Sequence, residues 1–171
     1  MIPLWNPYLY GGAPFAADNQ SGLFYPVNLL FFLLFPEVTY STMELLAAFH
    51  FFLTGAFMYI CLRNLRIYEL TNLRIYEFTN LRTYESTNLR RYSALADAIA
   101  FMFSDLFVTH FGNLNMIAVA AWLPLIFLFY HRAIVEERPG MAAAAGVFLG
   151  TATLAGHVQI TLFIALALVL Y

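Results

Sequence analysis

Apolar runs of unequal length, separated by short polar connections, organise this chain. The cleanest is Ser41 to Leu62, STMELLAAFHFFLTGAFMYICL, 22 residues of nearly unbroken helix-formers. At ~1.5 Å per residue it reaches about 33 Å, enough to cross a bilayer's hydrocarbon layer. Pro26 to Phe35 (PVNLLFFLLF) is apolar but only ten residues long, and Pro36 closes it. That length predicts an interfacial or re-entrant helix, not a crossing. Tyr92 to Phe107 and Leu114 to Tyr130 predict two further membrane helices on either side of the polar stretch THFGN. Asp97 interrupts the first. Pro124 is expected to kink the second, which membrane helices tolerate when neighbours satisfy the freed carbonyl. The 31 residues from Met141 to Tyr171 carry no charge. As one helix they would extend about 46 Å, more than a crossing needs, so a break is expected at Gly156-His157 with a last helix from Val158. The fold class that follows is all-α, a polytopic transmembrane helical bundle of about four to five spans plus a short interfacial helix.

One stretch has a different texture. From Asn64 to Tyr92 the chain reads NLRIYELT NLRIYEFT NLRTYEST NLRRY, an eight-residue phrase written three times and begun a fourth. A period of eight fits neither helix nor strand, and three units fall short of solenoid repeats. Deleting Leu65 to Asn88 joins CLRN to LRRYSALADAIAFMF, a short arginine-bearing turn between two apolar runs. The expected organisation is therefore an extracytoplasmic loop with interfacial helix (1–40), a transmembrane helix (41–62), a cytoplasmic loop (63–91) holding a tandem-repeat insert (65–88), and further transmembrane helices (92–171).

Composition sharpens the membrane reading. Of 171 residues 62% are hydrophobic and 11% charged, where soluble domains carry roughly 25% charged residues. All eight cationic residues are arginines. Arg63, Arg66, Arg74, Arg82, Arg90 and Arg91 lie in the repeat loop, and Arg132 and Arg138 in HRAIVEERPG; an excess of positive charge marks cytoplasmic loops. Residues 1–40 are then outside, 41–62 lead in, 92–107 out, 114–130 in and 141–156 out again. A net charge of −2 with no lysine gives no reason to expect a nucleic-acid partner. Cys61 is alone, so no disulfide or zinc cluster forms within the chain. P-loop, GxSxG, HExxH and GxGxxG motifs are missing, which removes support for ATP, serine-hydrolase, zinc-protease and dinucleotide chemistry.

With this topology the polar residues gather on the outer side. Asp18, Asn19 and Gln20 lie in the first loop; Asp105, His110, Asn113 and Asn115 lie between the third and fourth segments; His157 and Gln159 lie at the last break. Polar groups at membrane depth are costly and usually serve a site. The first loop, PLWNPYLYGGAPFAADNQSGLFYP, combines turn-fixing glycines and prolines with aromatic residues. Trp5, Tyr8, Tyr10, Phe15, Phe24 and Tyr25 would pack it on the bilayer interface; alternatively Trp5, Tyr8 and Tyr10 stack on sugar rings while Asn6, Asn19, Gln20, Asn113, Asn115 and Gln159 bond hydroxyls. Asp18, Asp105, His110 and His157 are the candidate catalytic groups. Each also has a plainer role: Asp18 as a turn residue bonding its own backbone, Asp105 as a helix-end carboxylate, the histidines as interfacial hydrogen-bonders. His50 is expected to pack inside the bundle, bonded to a neighbouring helix.

PLWNPYLYGGAPFAADNQSGLFYPVNLLFFLLFP, AFMFSDLFVTHFGNLNMIAVAAWLPLIF and LAGHVQITLF resemble the YfhO-type bacterial membrane proteins, which are similar to GT-C glycosyltransferases. The resemblance covers nearly all of the chain except the repeat. It implies transfer of a sugar from a polyprenyl phosphate to a cell-envelope polymer or lipid acceptor, at the outer face of the bacterial cytoplasmic membrane. In the family an acidic residue of the first outer loop serves as base or metal ligand, which makes a divalent metal the candidate cofactor. The family's first helix would precede residue 1 and its long C-terminal remainder would follow residue 171, so Asp18 is a substitute for that acidic residue. Asp97 and Asp105 stand where small or apolar residues are expected, and Asn113 where a histidine is common. The alternative is a non-catalytic transporter or flippase of lipid-linked glycans, which would need polar groups along a path to the cytoplasm.

Overall fold

The computed structural model describes residues 5–8, 11–15, 17–65 and 83–171, with side chains described from residue 91 in the last segment. Expectations on Tyr10 and on repeat residues 66–82 lie outside the described residues. The chain opens with a two-residue antiparallel pairing of β1 (Trp5–Asn6) and β2 (Ala13–Pro14), Trp5 opposite Pro14. A 3₁₀ turn (Asn19–Ser21) leads to α1 (Pro26–Leu34), which has proline in its first turn and ends just before Pro36. Then follows α2 (Tyr40–Asn64). Its start is fixed by a reciprocal cap: Thr39 Oγ1 accepts from the Thr42 amide at 3.3 Å, and Thr42 Oγ1 accepts from the Thr39 amide at 2.8 Å.

The next helix differs from expectation at both ends. α3 covers Thr83–Met102 and so begins inside the repeat, well before Tyr92. TYESTNLRR holds no glycine or proline, and nothing there stops a helix from extending backwards. At the other end Ser104 takes extended backbone and its carbonyl accepts from the Phe107 and Val108 amides, so a separate short helix, α4 (Asp105–Thr109), begins there. α5 (Leu114–Ala121) and α6 (Leu123–Val135) are joined at Trp122, with Pro124 in the first turn of α6. At Pro124, where a kink is expected, the helix is interrupted: the Trp122 amide turns back to the Val119 carbonyl at 3.2 Å. α7 (Pro139–Thr153) and α8 (Val158–Leu170) complete the chain, and the break between them falls at Gly156-His157.

Among the described residues three segments are long and apolar enough to cross a membrane: Tyr40–Asn64, Arg91–Thr109 and Leu114–Val135. The remaining uncharged run is divided by the break at Gly156 into helices of 15 and 13 residues, so a count of four to five is not confirmed by length. Those reach only about 20 Å each, against ~30 Å of hydrocarbon. The fold is helical, and its surface is that of a membrane protein. Leu33, Phe52, Leu162, Val169 and Leu170 are exposed, while Ala47, Ala94, Ala98, Ala118 and Ala152 are buried. Without water to drive large side chains inward, membrane helices associate through small residues that let backbones approach.

Ring and side-chain contacts fix the sense of each helix. Phe51 of α2 lies 5.8 Å from Phe107 and 6.1 Å from Phe103, while Cys61 and Leu65 at its far end pack on Leu128 of α6. Phe148 of α7 stacks 5.8 Å from Trp122. Tyr171, after α8, sets its hydroxyl 2.7 Å from His131 Nδ1 of α6. The helices therefore alternate in direction. One end of the bundle carries the first loop and the 154–157 break; the opposite end carries Asn64 and the Glu136–Arg138 turn, where Glu136 pairs with Arg132 at 2.8 Å and Arg138 at 3.3 Å.

Candidate functional site

The first loop is held on the bundle by three contacts. The Asn115 side-chain amide of α5 donates to the Gln20 carbonyl. The Asn28 amide of α1 donates to the Gly22 carbonyl at 3.1 Å. Gly156, at φ +98°, lies directly against the Asn19 carbonyl and the Gln20 Cα. Gly22 is in the left-handed region, φ +57°, and a Cβ there would meet Asn28 Nδ2 at 2.9 Å and the Ala155 carbonyl at 3.3 Å. Both positions thus need glycine for conformation and for space. Asn19, Gln20, Asn115 and the residue next to His157 meet at one junction.

The ionisable candidates, at this junction and on α4, are partly committed to local bonds. Asp18 caps the 3₁₀ turn, one carboxylate oxygen accepting from the Gln20 amide at 3.0 Å, and is otherwise exposed. His157 caps α8, its Nδ1 accepting from the Ile160 amide at 3.3 Å. The neutral ring then carries its proton on Nε2, which makes that nitrogen a donor. Gln159 is exposed in the first turn of α8. Asn113 caps α5 through the Met116 amide at 3.3 Å. His110 Nδ1 lies 2.8 Å from Thr109 Oγ1 and 3.1 Å from the Leu106 carbonyl, a local arrangement at the end of α4. Asp105 is exposed at the start of that helix.

The aromatic part of the loop divides in two. Trp5 is 58% exposed, with its ring over Gly12, and Tyr8 is 93% exposed; Asn6 Oδ1 accepts from the Tyr8 amide at 3.0 Å. Tyr25, expected at the bilayer interface, is instead wholly buried. Its hydroxyl accepts from Trp122 Nε1 at 2.9 Å and lies 3.3 Å from His50 Nε2, while His50 Nδ1 lies 2.8 Å from the Leu46 carbonyl. A carbonyl can only accept, so Nδ1 bears the proton, Nε2 is the acceptor and the Tyr25 hydroxyl donates to it. His50 therefore bonds both its own helix and the segment before α1, not simply a neighbouring helix. Burial pushes the Tyr25 hydroxyl up to about 12, the bond from Trp122 offsetting part of the rise. The chain Trp122 to Tyr25 to His50 was not legible in advance, since its members stand 97 and 25 residues apart. The signal available was two polar-tipped aromatics inside apolar runs.

Among the described residues no three His, Cys, Asp or Glu side chains come close enough to hold a metal ion. Asp18 is the only ionisable group in the 18–22 turn. The described residues around Asp18 gather no ligand set for a divalent cation. Comparison with protein-family models, with curated proteins and with solved structures yields no match.

Proposed function

We propose that this chain is part of a bacterial inner-membrane protein of the YfhO type, with a GT-C-like helical fold, that transfers a sugar from a polyprenyl-phosphate donor to a cell-envelope acceptor. The observation that carries the reading is the junction of Asn19, Gln20, Asn115 and Gly156-His157, at the end of the bundle opposite the arginine-bearing 136–138 turn. By the positive-inside rule that junction faces outward. In this reading α7 and α8 supply the fourth and fifth helices, and the repeat loop is cytoplasmic.

The chemistry follows from the free valences. The second Asp18 oxygen takes the proton of the acceptor hydroxyl as general base. His157 Nε2–H donates to the departing lipid phosphate, whose charge grows as the glycosidic bond breaks. Trp5 and Tyr8 offer exposed ring faces to the sugar, and Asn6, Asn113 and Gln159 offer amides to its hydroxyls. A transporter or flippase would be favoured by polar groups continuing to the other face. Among the described residues the buried polar side chains are His50 and Thr54, and beyond them α2 buries Cys61 and Leu65 against Leu128.

The test is transfer of labelled hexose from a polyprenyl-phosphate donor in membranes. Asp18→Asn and His157→Asn both keep a capping acceptor, since asparagine serves well as a cap. Each is expected to lower transfer roughly 100-fold or more with membrane insertion intact. Wild-type rates in both variants would remove the site assignment.

A further inference from the structure

The surface of α3 is of three kinds. Ala94 and Ala98 are buried, and Met102 packs on Gly55 of α2, which defines the face turned inward. Tyr92, Leu95 and Ile99 are large, apolar and exposed, a surface suited to lipid. Ala96, Asp97 and Ala100 are also exposed but small or charged. At about 100° per residue these three fall on one strip, roughly a third of a turn from the Leu95–Ile99 face. The segment Arg91–Thr109 is the least covered of the three crossing segments, 17% buried against 50% for Leu114–Val135.

This strip does not match lipid. Asp97 lies six residues beyond Arg91, about 9 Å into the crossing segment, where an unpaired carboxylate is costly. Alanines on both sides of it permit close approach of another backbone, as small residues do between membrane helices. A two-fold copy of this face would set Asp97 against Asp97, like charge on like. The fitting occupant has the opposite sign. We propose that the Ala96–Asp97–Ala100 strip of α3 docks a transmembrane helix carrying an arginine at the depth of Asp97. A planar guanidinium pairs with a carboxylate through two hydrogen bonds, and the alanines let it come within reach. The proposal rests only on Arg91–Thr109 crossing the bilayer, and stands or falls apart from any sugar transfer.

The full chain, reconstituted in phosphatidylcholine vesicles with a donor fluorophore, is titrated with two synthetic leucine/alanine transmembrane helices bearing an acceptor. One carries a single arginine at the depth of Asp97; the other carries none. The arginine helix is expected to associate roughly three- to thirtyfold more tightly, the range of interhelical polar pairs in bilayers. Asp97→Leu should erase that preference by removing the charge, and Ala100→Leu by filling the strip; Leu95→Ala, on the lipid face, should leave it. Equal binding of both helices, or an unchanged preference in Asp97→Leu, would overturn the proposal. So would efficient cross-linking between Ala100→Cys copies without added helix, which would make the occupant a second chain.

Discussion

Gly156→Ala is the most informative single substitution, because the close approach it disturbs is what seats the first loop. The backbone there is at φ +98°, and an added Cβ would meet the Asn19 carbonyl, with the Gln20 Cα at 3.1 Å. Both obstacles are backbone, so neither can swing away as a side chain would. An L-residue in that conformation costs about 1–3 kcal/mol. Displacing the loop also loses the Asn115 bond to Gln20, about 0.5–1.5 kcal/mol. The sum, about 1.5–4.5 kcal/mol, should open the loop locally and leave the helices formed. Hydrogen exchange reads it directly, since the Ser21 and Gly22 amides bond to the Asp18 and Asn19 carbonyls at 3.0 and 3.2 Å. Their exchange should quicken roughly 10- to 2,000-fold, at about 1.36 kcal/mol per decade. Gly146→Ala and Gly150→Ala are the controls: both lie in α7 with nothing within 4 Å of an added Cβ. There alanine should be neutral or stabilise by up to ~1 kcal/mol through helix propensity. If Gly156→Ala leaves Ser21 and Gly22 protected, or if all three variants behave alike, the loop does not depend on this contact.

Other outcomes follow from the same geometry. Tyr25→Phe leaves Trp122 Nε1 and His50 Nε2 without their buried partner and should cost about 2–4 kcal/mol; unfolding in mixed micelles followed by tryptophan emission measures it. Titration of tyrosine absorbance should show a late component near pH 12 that is missing in Tyr25→Phe. The sign follows from the raised value: burial favours the neutral phenol, so its stabilisation is whole below pH 10 and is lost as pH rises from 10 toward 12. The rise from 10.0 to about 12 corresponds to about 2.7 kcal/mol at most. Gly55→Ala should be tolerated within about 1 kcal/mol, because its Cβ meets only the Met102 sulfur at 2.8 Å, the mobile part of a flexible side chain; Gly55→Val should be markedly worse in the same unfolding assay. Deleting residues 65–88 should preserve insertion and transfer activity, and loss of activity with normal insertion would give the repeat a role.

Much of the helix layout was legible because its causes are local. Pro26 and Pro36 bound α1, the helix is interrupted at Trp122 just before Pro124, and the Met141–Tyr171 run breaks at Gly156. Each acts through its own turn of backbone, so spacing along the chain reveals it. The crossing part of α3 was legible to within a residue, Arg91 against the expected Tyr92; its backward extension to Thr83 was not, because a period-eight repeat hides a stretch with no helix breaker. The meeting of Gln20 with Asn115 and of Asn19 with Gly156 accords with alternation of direction, which hydrophobic run lengths and arginine positions imply. Their present duties, with Asp18, Asn113 and His157 each bonded to a backbone amide two or three residues on, are short-range and belong to known capping chemistry.

What only the tertiary structure decided is which residues face one another. Tyr25 and Phe24 are neighbours in the sequence and alike in type, yet Phe24 is 56% exposed and Tyr25 is sealed between His50 and Trp122. Gly156 and Asn19, separated by most of the chain, touch only because α7 returns to the end where α1 begins. Hydropathy records how readily a residue leaves water, and on a membrane helix lipid and protein interior satisfy that equally. The choice between them was made by packing: alanine and glycine where helices close on one another, long side chains where lipid fills the space, and hydrogen-bonded Tyr25 where a polar tip found partners from two other segments.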